Sequence, residues 1–250
     1  MRLDETTHQY FSKAGEEFLS VTKFVDRFFP PFEERKVAER CSKKRDDLSP
    51  EELRAAWEVK RKAASTFGTN VHRHAQNLLL GKGGVKPCDD KEQQYFDLVG
   101  DYVKALLDKR TIIGVEQILS DAEHRLAGCA DLIVRDKFGM FGILDWKTNE
   151  MLRFSSTSNA LHPLEHLEDC NYVRYCLQLN VYAFLLSRCC DIRGPYAMQL
   201  LYVTGHSVQT IQVTPMKDEV LAMLSVRKSD LEERHAREAT RRARQDAHED

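Results

Sequence analysis

The sequence predicts a mixed α/β fold, in which a small mixed β-sheet is flanked by helices and preceded by a mainly helical N-terminal part. Helical patterns dominate residues 1–110, whereas residues 111–215 hold β-rich segments around a single periodic helix. With 42% hydrophobic and 30% charged residues among 250, the composition is that of a globular protein. We therefore expect one domain over residues 1–235 and a charged tail, residues 236–250, that frays into solvent.

The N-terminal part begins with a predicted hairpin. Two short segments rich in aromatic and aliphatic residues, His8–Phe11 and Phe18–Val21, flank a turn at Gly15. A helix over Thr22–Phe29 follows, and the two prolines after it end that helix.

Longer helices complete the N-terminal part. Ser49 is a capping residue with a proline at the first helical position and Glu52 three residues further on, so a helix begins there. We expect Gly68 to end this helix, because glycine is a poor helix former. Two further periodic segments, Thr69–Leu80 and Lys91–Lys109, predict two more helices.

After residue 110 the pattern changes to the two-residue period of β-strands. Three segments are rich in β-branched and aliphatic residues: Thr111–Leu119, Arg125–Arg135 and Met140–Trp146. Turn-forming residues separate the last two, which predicts an antiparallel pair. Residues 149–168 are irregular. The elements predicted after them are a helix over Asn171–Arg188, strands over Tyr196–Thr204 and Val208–Val213, and a helix that begins at Met216.

Charge and composition exclude few classes of function. The net charge of −2 neither favours nor excludes nucleic acid as a partner, because acidic metal ligands and basic surroundings cancel in the sum. No apolar segment approaches the ~18–20 residues of a membrane span, and no secretory signal is recognisable. The seven cysteines form no CxxC pair. We expect a soluble intracellular protein, cytoplasmic or nuclear, with reduced thiols and no membrane partner.

The residues that point to chemistry lie in two neighbouring predicted strands. Asp131 and Asp145 are 14 residues apart across a turn, so an antiparallel pair can bring both carboxylates to one point. Asp145 and Lys147 are two residues apart and therefore share one face of their strand. Carboxylates of this kind hold the divalent cations that assist phosphodiester hydrolysis.

This pattern resembles the core of the PD-(D/E)xK nucleases, and Asp145-Trp146-Lys147-Thr148 resembles the DxKT element of their RecB-like branch. Further elements of that branch follow in the same order along the chain. They are a helix with a metal-binding histidine (Gly68–His72), an acidic residue before a GxxD element (Glu116) and a QLxxY element (Gln178–Tyr182). Ser20-Val21-Thr22 also resembles the SVT start of stand-alone exonucleases, including the mitochondrial genome-maintenance type. The resemblance covers about residues 65–190.

The resemblance implies a restriction-endonuclease-like core and a deoxyribonuclease that depends on Mg²⁺ or Mn²⁺, acting as an exonuclease on DNA ends or single strands. The implied metal ligands are His72, Glu116, Asp131 and Asp145. The implied catalytic residues are Glu116, Asp131, Asp145 and Lys147. Candidates for substrate binding are Ser20, Thr22, Thr148, Arg153, Gln178 and Tyr182. The cysteines give no recognisable iron–sulfur layout, so no cluster is predicted.

Alternatives remain open at this stage. His74 competes with His72 for the metal site, although His72 shares a helix face with Ala75 and Gln76. Tyr175, Gln178 and Tyr182 form one helical stripe that serves either the site or ordinary core packing. The chain itself is a nuclease, a site- or structure-specific endonuclease, or an idle nucleic-acid-binding module of the same fold. DNA is the expected partner, in replication, repair or recombination. Any helicase would be a separate chain, since no Walker A motif is present.

Overall fold

The computed structural model describes residues 1–4, 7, 9–44, 48–190, 192, 194 and 196–249, without the side chains of residues 242–244 and 246–249. The predicted strand residue His8 and the tail residue Asp250 lie outside the described residues. In chain order the strands are β1 (Arg2–Asp4), β2 (Gln9–Phe11), β3 (Glu17–Ser20), β4 (Arg110–Asp121), β5 (Leu126–Asp136), β6 (Phe141–Lys147), β7 (Tyr196–Val203) and β8 (Val208–Gln212). The helices are α1 (Val21–Asp26), α2 (Glu34–Ser42), α3 (Pro50–Leu79), α4 (Asp90–Leu107), α5 (Asn171–Cys189) and α6 (Lys217–Glu249).

The strands form one mixed sheet with β5 at its centre. β4 runs antiparallel to β5 along one whole edge. The other edge of β5 is shared. β3 lies parallel to the start of β5, with Ser20 opposite Ala127. β6 lies antiparallel to the end of β5, from Leu132 to Arg135. Residues 128–131 lie between these two ladders and pair with neither strand. β7 then continues the sheet parallel to β6, and β8 lies antiparallel to β7.

Helices cover both faces of this sheet, which confirms the predicted fold class. On one face α3 and α4 pack against the buried side chains of Leu132, Leu144 and Trp146. On the opposite face α1, α5 and α6 enclose a second apolar core with Ile133 and Ile143. The N-terminal part also contributes three strands to the same sheet, so it is less purely helical than the sequence indicated. None of the described helices is long and apolar enough to cross a lipid bilayer.

The predicted break at Gly68 is wrong, because α3 runs without interruption from Pro50 to Leu79. Its start is as predicted: the side chain of Ser49 accepts from the backbone of Glu52, and the Glu52 carboxylate accepts from the backbone of Ser49. A β-carbon at Gly68 would lie 3.0 Å from the hydroxyl oxygen of Thr148. The glycine therefore serves close approach of the helix to the end of β6 rather than termination.

The ends of the chain also differ from expectation. β1 and α2 were not predicted. The expected tail at 236–250 continues α6 to Glu249, and its described side chains beyond Leu231 are exposed. A helix with exposed, salt-bridged residues on every side is held by pairs four residues apart, such as Arg234–Glu238 and Glu233–Arg237.

Candidate metal centre and active site

Glu116 reaches the site through an irregular part of β4. The ladder to β5 shifts register between Ile112 and Gly114, and Glu116 itself has a φ of +48°. Such a left-handed conformation costs a non-glycine residue about 1–3 kcal/mol and persists only where the surroundings enforce it. The pairs on either side of Glu116 place it across from Asp131 in β5. Its carboxylate accepts a 3.2 Å hydrogen bond from the thiol of Cys129.

Asp131 lies where β5 and β6 separate. The last pair of that ladder is Leu132–Leu144, so the next backbone pair would be Asp131–Asp145. Instead, the Asp131 carboxylate accepts the backbone N–H of Trp146 at 2.8 Å. A side chain thus replaces a ladder bond, and the strands open at the residues that carry the acidic groups.

His72 comes to this opening from α3. Its Nδ1 lies 3.2 Å from Oδ2 of Asp131. His72 is one helical turn after Gly68, and the close approach of Gly68 to Thr148 brings this stretch of α3 against the end of β6.

His74, the alternative to His72 as a ligand, lies elsewhere in the structure. Its ring stacks on Phe96 with centroids 4.1 Å apart, and its Nδ1 accepts the backbone N–H of Val85 at 3.1 Å. Both contacts hold His74 in the core, away from the carboxylates.

His72, Glu116 and Asp131 can hold a metal ion together. One ligand atom from each lies within 4.8 Å of the other two. Metal–oxygen bonds of about 2.1 Å allow opposite ligands to be about 4.2 Å apart, so only a small closing movement is needed. Two carboxylates with one imidazole suit Mn²⁺ as well as Mg²⁺, because an imidazole nitrogen is a softer donor than oxygen.

Asp145 lies outside this close group of three, so its role as a fourth ligand stays a prediction. Its carboxylate contacts the ammonium of Lys147, two residues along the same face of β6. Oδ2 is enclosed and has no hydrogen-bond donor of regular geometry among the described residues. Lys147 is thus the ion-pair partner of Asp145, while the charge of Asp131 also acts on Asp145.

Lys147 is held from α5 as well. Its Nζ donates to Oε1 of Gln178 at 3.3 Å and lies 4.3 Å from the centre of the Tyr175 ring. The amide of Gln178 in turn donates to the hydroxyl of Tyr182 at 2.9 Å. The helical stripe of Tyr175, Gln178 and Tyr182 therefore contacts the lysine, while Tyr182 also belongs to the core.

The acidic groups of the site repel one another. Burial and the charge of Asp131 raise the pKa of Glu116 to about 7. Burial raises the pKa of Asp145 to about 6, even though Lys147 lies against it. Burial also opposes the charged form of His72, but the carboxylate of Asp131 outweighs it and raises the pKa of the imidazole to about 9. Lys147 stays an ammonium, because Asp145 and Asp131 outweigh its desolvation and raise its pKa.

With its carboxylates and Lys147 ionised and His72 neutral, the site has more negative than positive charge. Three carboxylates (Glu116, Asp131 and Asp145) face one ammonium, Lys147, when His72 is neutral, so two negative charges remain unbalanced. A divalent cation balances that excess. In its absence, protons on His72 and Glu116 reduce it, which accounts for both raised pKa values.

The remaining predicted residues lie at different depths. Tyr182 is 4% exposed, so its hydroxyl positions Gln178 and does not face solvent. The side chain of Ser20 caps α1 by accepting the backbone N–H of Lys23 at 3.3 Å, and Thr22 is exposed in the first turn. Arg153 is exposed, and its backbone N–H donates to Asn171 at the start of α5.

Two residues of the site were not predicted. Cys129 is two residues before Asp131 on β5, and strand periodicity could have placed it on the same face. Tyr10 of β2 lies behind it, where burial and the nearby charges of Cys129 and Glu116 raise the pKa of its phenol. Nothing in the local sequence of Tyr10 indicates that distant neighbourhood.

No family model matches the chain, and no curated protein matches it. Several solved structures overlap with it, two of which follow. A candidate exonuclease from Eubacterium rectale is 11% identical, with a TM-score of 0.46, over 93% of this chain and 85% of its own. The protein SSO0001 is 14% identical, with a TM-score of 0.33, over 85% of this chain and 75% of its own. At these TM-scores neither likeness assigns an activity, so the functional assignment rests on the side chains of the site.

Proposed function

We propose that this protein is a nuclease that depends on a divalent metal, Mg²⁺ or Mn²⁺, and hydrolyses the phosphodiester bonds of DNA as an exonuclease on ends or single strands. The observation that carries the proposal is the group of His72, Glu116 and Asp131 beside the Asp145–Lys147 pair, with its excess negative charge. Structural ion pairs balance their charges, whereas an enclosed excess of carboxylates is expected where a cation binds.

A divalent cation bound by His72, Glu116 and Asp131 would stabilise the negative charge that develops on the phosphate. Lys147 remains protonated, so it acts as a positive charge and hydrogen-bond donor and not as a base. Held by Asp145 and Gln178, its Nζ can orient a water molecule or contact a phosphate oxygen beside the metal ligands.

The segment after β6 supports a single-stranded substrate. Residues 149–168 are irregular but anchored, because Ala160 and Leu164 are buried and the backbone N–H of Leu161 donates to Phe28 at 2.7 Å. Arg153 and Phe154 are exposed on this anchored segment, and Phe154 is 58% exposed with its ring against Tyr172. A base can stack on such a ring for about 1–3 kcal/mol while the arginine binds phosphate.

End-labelled single-stranded and double-stranded DNA, incubated with Mg²⁺, Mn²⁺ or a chelator, tests the proposal. We expect cleavage that requires the metal, starts at a labelled end, and spares covalently closed single-stranded circles. Absence of any metal-dependent cleavage on all substrates would contradict the nuclease assignment. Equal cleavage of circles and linear strands would contradict the exonuclease assignment alone.

A further inference from the structure

α5 ends in two adjacent cysteines that face each other. Cys189 is the last residue of the helix, and Cys190 caps it with φ −125° and ψ 3°. Adjacent side chains in a regular helix point about 100° apart. Because Cys190 has left the helical conformation, its Sγ lies 3.3 Å from Sγ of Cys189. Both residues are exposed, and neither forms a disulfide.

The other cysteines differ from this pair. Cys41 is partly buried, Cys170 and Cys176 are buried in the core around α5, and Cys129 belongs to the candidate metal centre. Cys88 is exposed but stands alone, beside the carboxylate of Glu92. Among the described residues, only Cys189 and Cys190 combine exposure with a second thiol in contact.

We propose that Cys189 and Cys190 are a vicinal dithiol that reacts with low-molecular-weight disulfides, such as oxidised glutathione, and closes into a vicinal disulfide. In the first step the Cys189 thiolate attacks one sulfur of the small disulfide, and a mixed disulfide forms as one small thiolate leaves. The Cys190 thiol then loses its proton to solvent and attacks the Cys189 sulfur, which expels the second small thiol. The protein loses two hydrogens, and the small disulfide is reduced to two thiols.

The order of the two cysteines follows from their surroundings. Burial and the neighbouring Cys189 raise the pKa of Cys190 to about 11. A raised pKa makes Cys190 a poor attacking thiol, so we assign it as the resolving thiol and Cys189 as the attacking one.

The closed form should be easy to reduce. The Cα atoms of neighbouring residues are about 3.8 Å apart across a trans peptide, which is shorter than the roughly 4.4–6.8 Å of ordinary disulfides. The ring is therefore strained, and reduced glutathione is expected to open it. Closure affects the cap and the hydrogen bond from the Cys190 N–H to Leu186, but not Gln178, about three turns earlier. We expect no loss of the activity of the metal site.

Mass spectrometry after treatment with oxidised glutathione tests this inference. Acid quenching, alkylation and trypsin release residues 189–193 as one peptide that holds both cysteines. At a concentration that modifies Cys88, we expect this peptide to have lost two hydrogens, with no disulfide link between protein chains. The Cys88 peptide should instead carry a glutathionyl group.

The matched variant is Cys190→Ser, in which the peptide should keep a glutathionyl group on Cys189 because no resolving thiol remains. Restoration of the wild-type peptide by reduced glutathione would support the strained ring. A stable glutathionyl adduct on the wild-type peptide would overturn the proposal, as would an unmodified wild-type peptide while Cys88 reacts. Neither result depends on whether the protein cleaves DNA.

Discussion

Two histidine–aspartate pairs lie on or against the long strands β4 and β5, and their surroundings differ. At the turn between the strands, Asp121 accepts the backbone N–H of His124 at 3.0 Å and contacts its ring nitrogen at 2.7 Å. Arg188 donates to the other oxygen of Asp121 at 3.1 Å. At the opening between β5 and β6, Asp131 pairs with His72 but also faces further carboxylates.

The pKa values of the carboxyl groups differ between these two surroundings. Burial opposes the ionised form of Asp121, but hydrogen bonds from His124 and Arg188 outweigh it and lower its pKa. In the site, Glu116 and Asp145 have raised pKa values that their available partners do not offset. The neighbours of the first pair offset its charge and stabilise the fold, whereas the second group keeps an excess of carboxylates that, on our proposal, a cation balances. The predictions below use the first pair as the control for the second.

Removing the positively charged side chain of each group, Lys147 in the site and Arg188 beside Asp121, should give the largest difference in cleavage. Lys147→Ala should reduce cleavage by at least about 10²–10³-fold with little change in DNA affinity, because the ammonium is needed most where charge develops in the transition state. Lys147→Arg should also fail, since a planar guanidinium does not replace a compact ammonium. Single-turnover cleavage and DNA titration measure both effects.

Arg188→Ala is the matched control for Lys147→Ala. Its side chain is half exposed, so removing it should lower the free energy of unfolding by no more than about 1 kcal/mol and leave cleavage per folded molecule unchanged. Equal loss of activity in both variants would remove the distinction between the two groups.

Removing one carboxylate from each group should change stability in opposite directions. The raised pKa of Glu116 means that the folded state keeps a proton which the unfolded chain releases near pH 4.3, so stability falls as pH rises from there to about 7. Glu116→Gln removes this loss and should raise the metal-free free energy of unfolding at pH 8 by roughly 1–3 kcal/mol.

Asp121→Asn should do the reverse. Its lowered pKa stabilises the fold above the unfolded value near pH 3.9, and this contribution disappears as pH falls through the folded value. At pH 8 the variant should lose roughly 1–3 kcal/mol. Urea denaturation in the presence of a chelator measures both variants, and a loss of stability in Glu116→Gln would contradict the repulsion described above.

Metal binding should release protons in a way that depends on pH. His72 holds a proton below about pH 9 and Glu116 below about pH 7 in the metal-free protein. Mn²⁺ should therefore displace up to about two protons at pH 6.5 and about one or fewer at pH 8.5. A pH-stat titration counts them, and a release that does not change with pH would show that these groups are not the ligands.

The smallest effect concerns two helix glycines. Alanine at Gly68 would bring a β-carbon within 3.0 Å of the Thr148 hydroxyl, whereas alanine at Gly100 in α4 would meet Leu78 at an ordinary 3.8 Å. Both substitutions gain about 0.5–1 kcal/mol of helix propensity. Only Gly68→Ala should lower cleavage, by a few-fold, because it displaces α3 and His72. Similar activity in both variants would show that the approach at Gly68 is not needed.

The sequence was sufficient for the periodic parts of the fold. β4, β5, β6 and α5 agree with the predicted segments within a few residues, because each has a clear two-residue or helical period. Gly68 was misread, since local propensity carries no information about Thr148, which is 80 residues away in the chain. The parallel pairing of β3 with β5 is likewise a long-range contact that no local pattern indicates.

The site was predictable in its residue types and less so in its geometry. Strand parity placed Asp145 and Lys147 on one face, and the structure shows them in contact. The same parity cannot show that Asp145 prefers Lys147 to the metal group, because that choice depends on the charges present. Helix periodicity also could not show that Tyr182 is buried. Its ring packs beside Gly128, where the missing β-carbon leaves room for both Tyr182 and Val21.

The central claim, that the excess negative charge of the site is a cation site, is tested most directly by calorimetric titration of the metal-free protein with Mn²⁺. We expect saturable binding to the wild type, binding weakened at least about tenfold in Asp131→Asn, and wild-type binding in Asp121→Asn. Failure of the wild type to bind Mn²⁺, or equal affinity of the wild type and Asp131→Asn, would contradict the account.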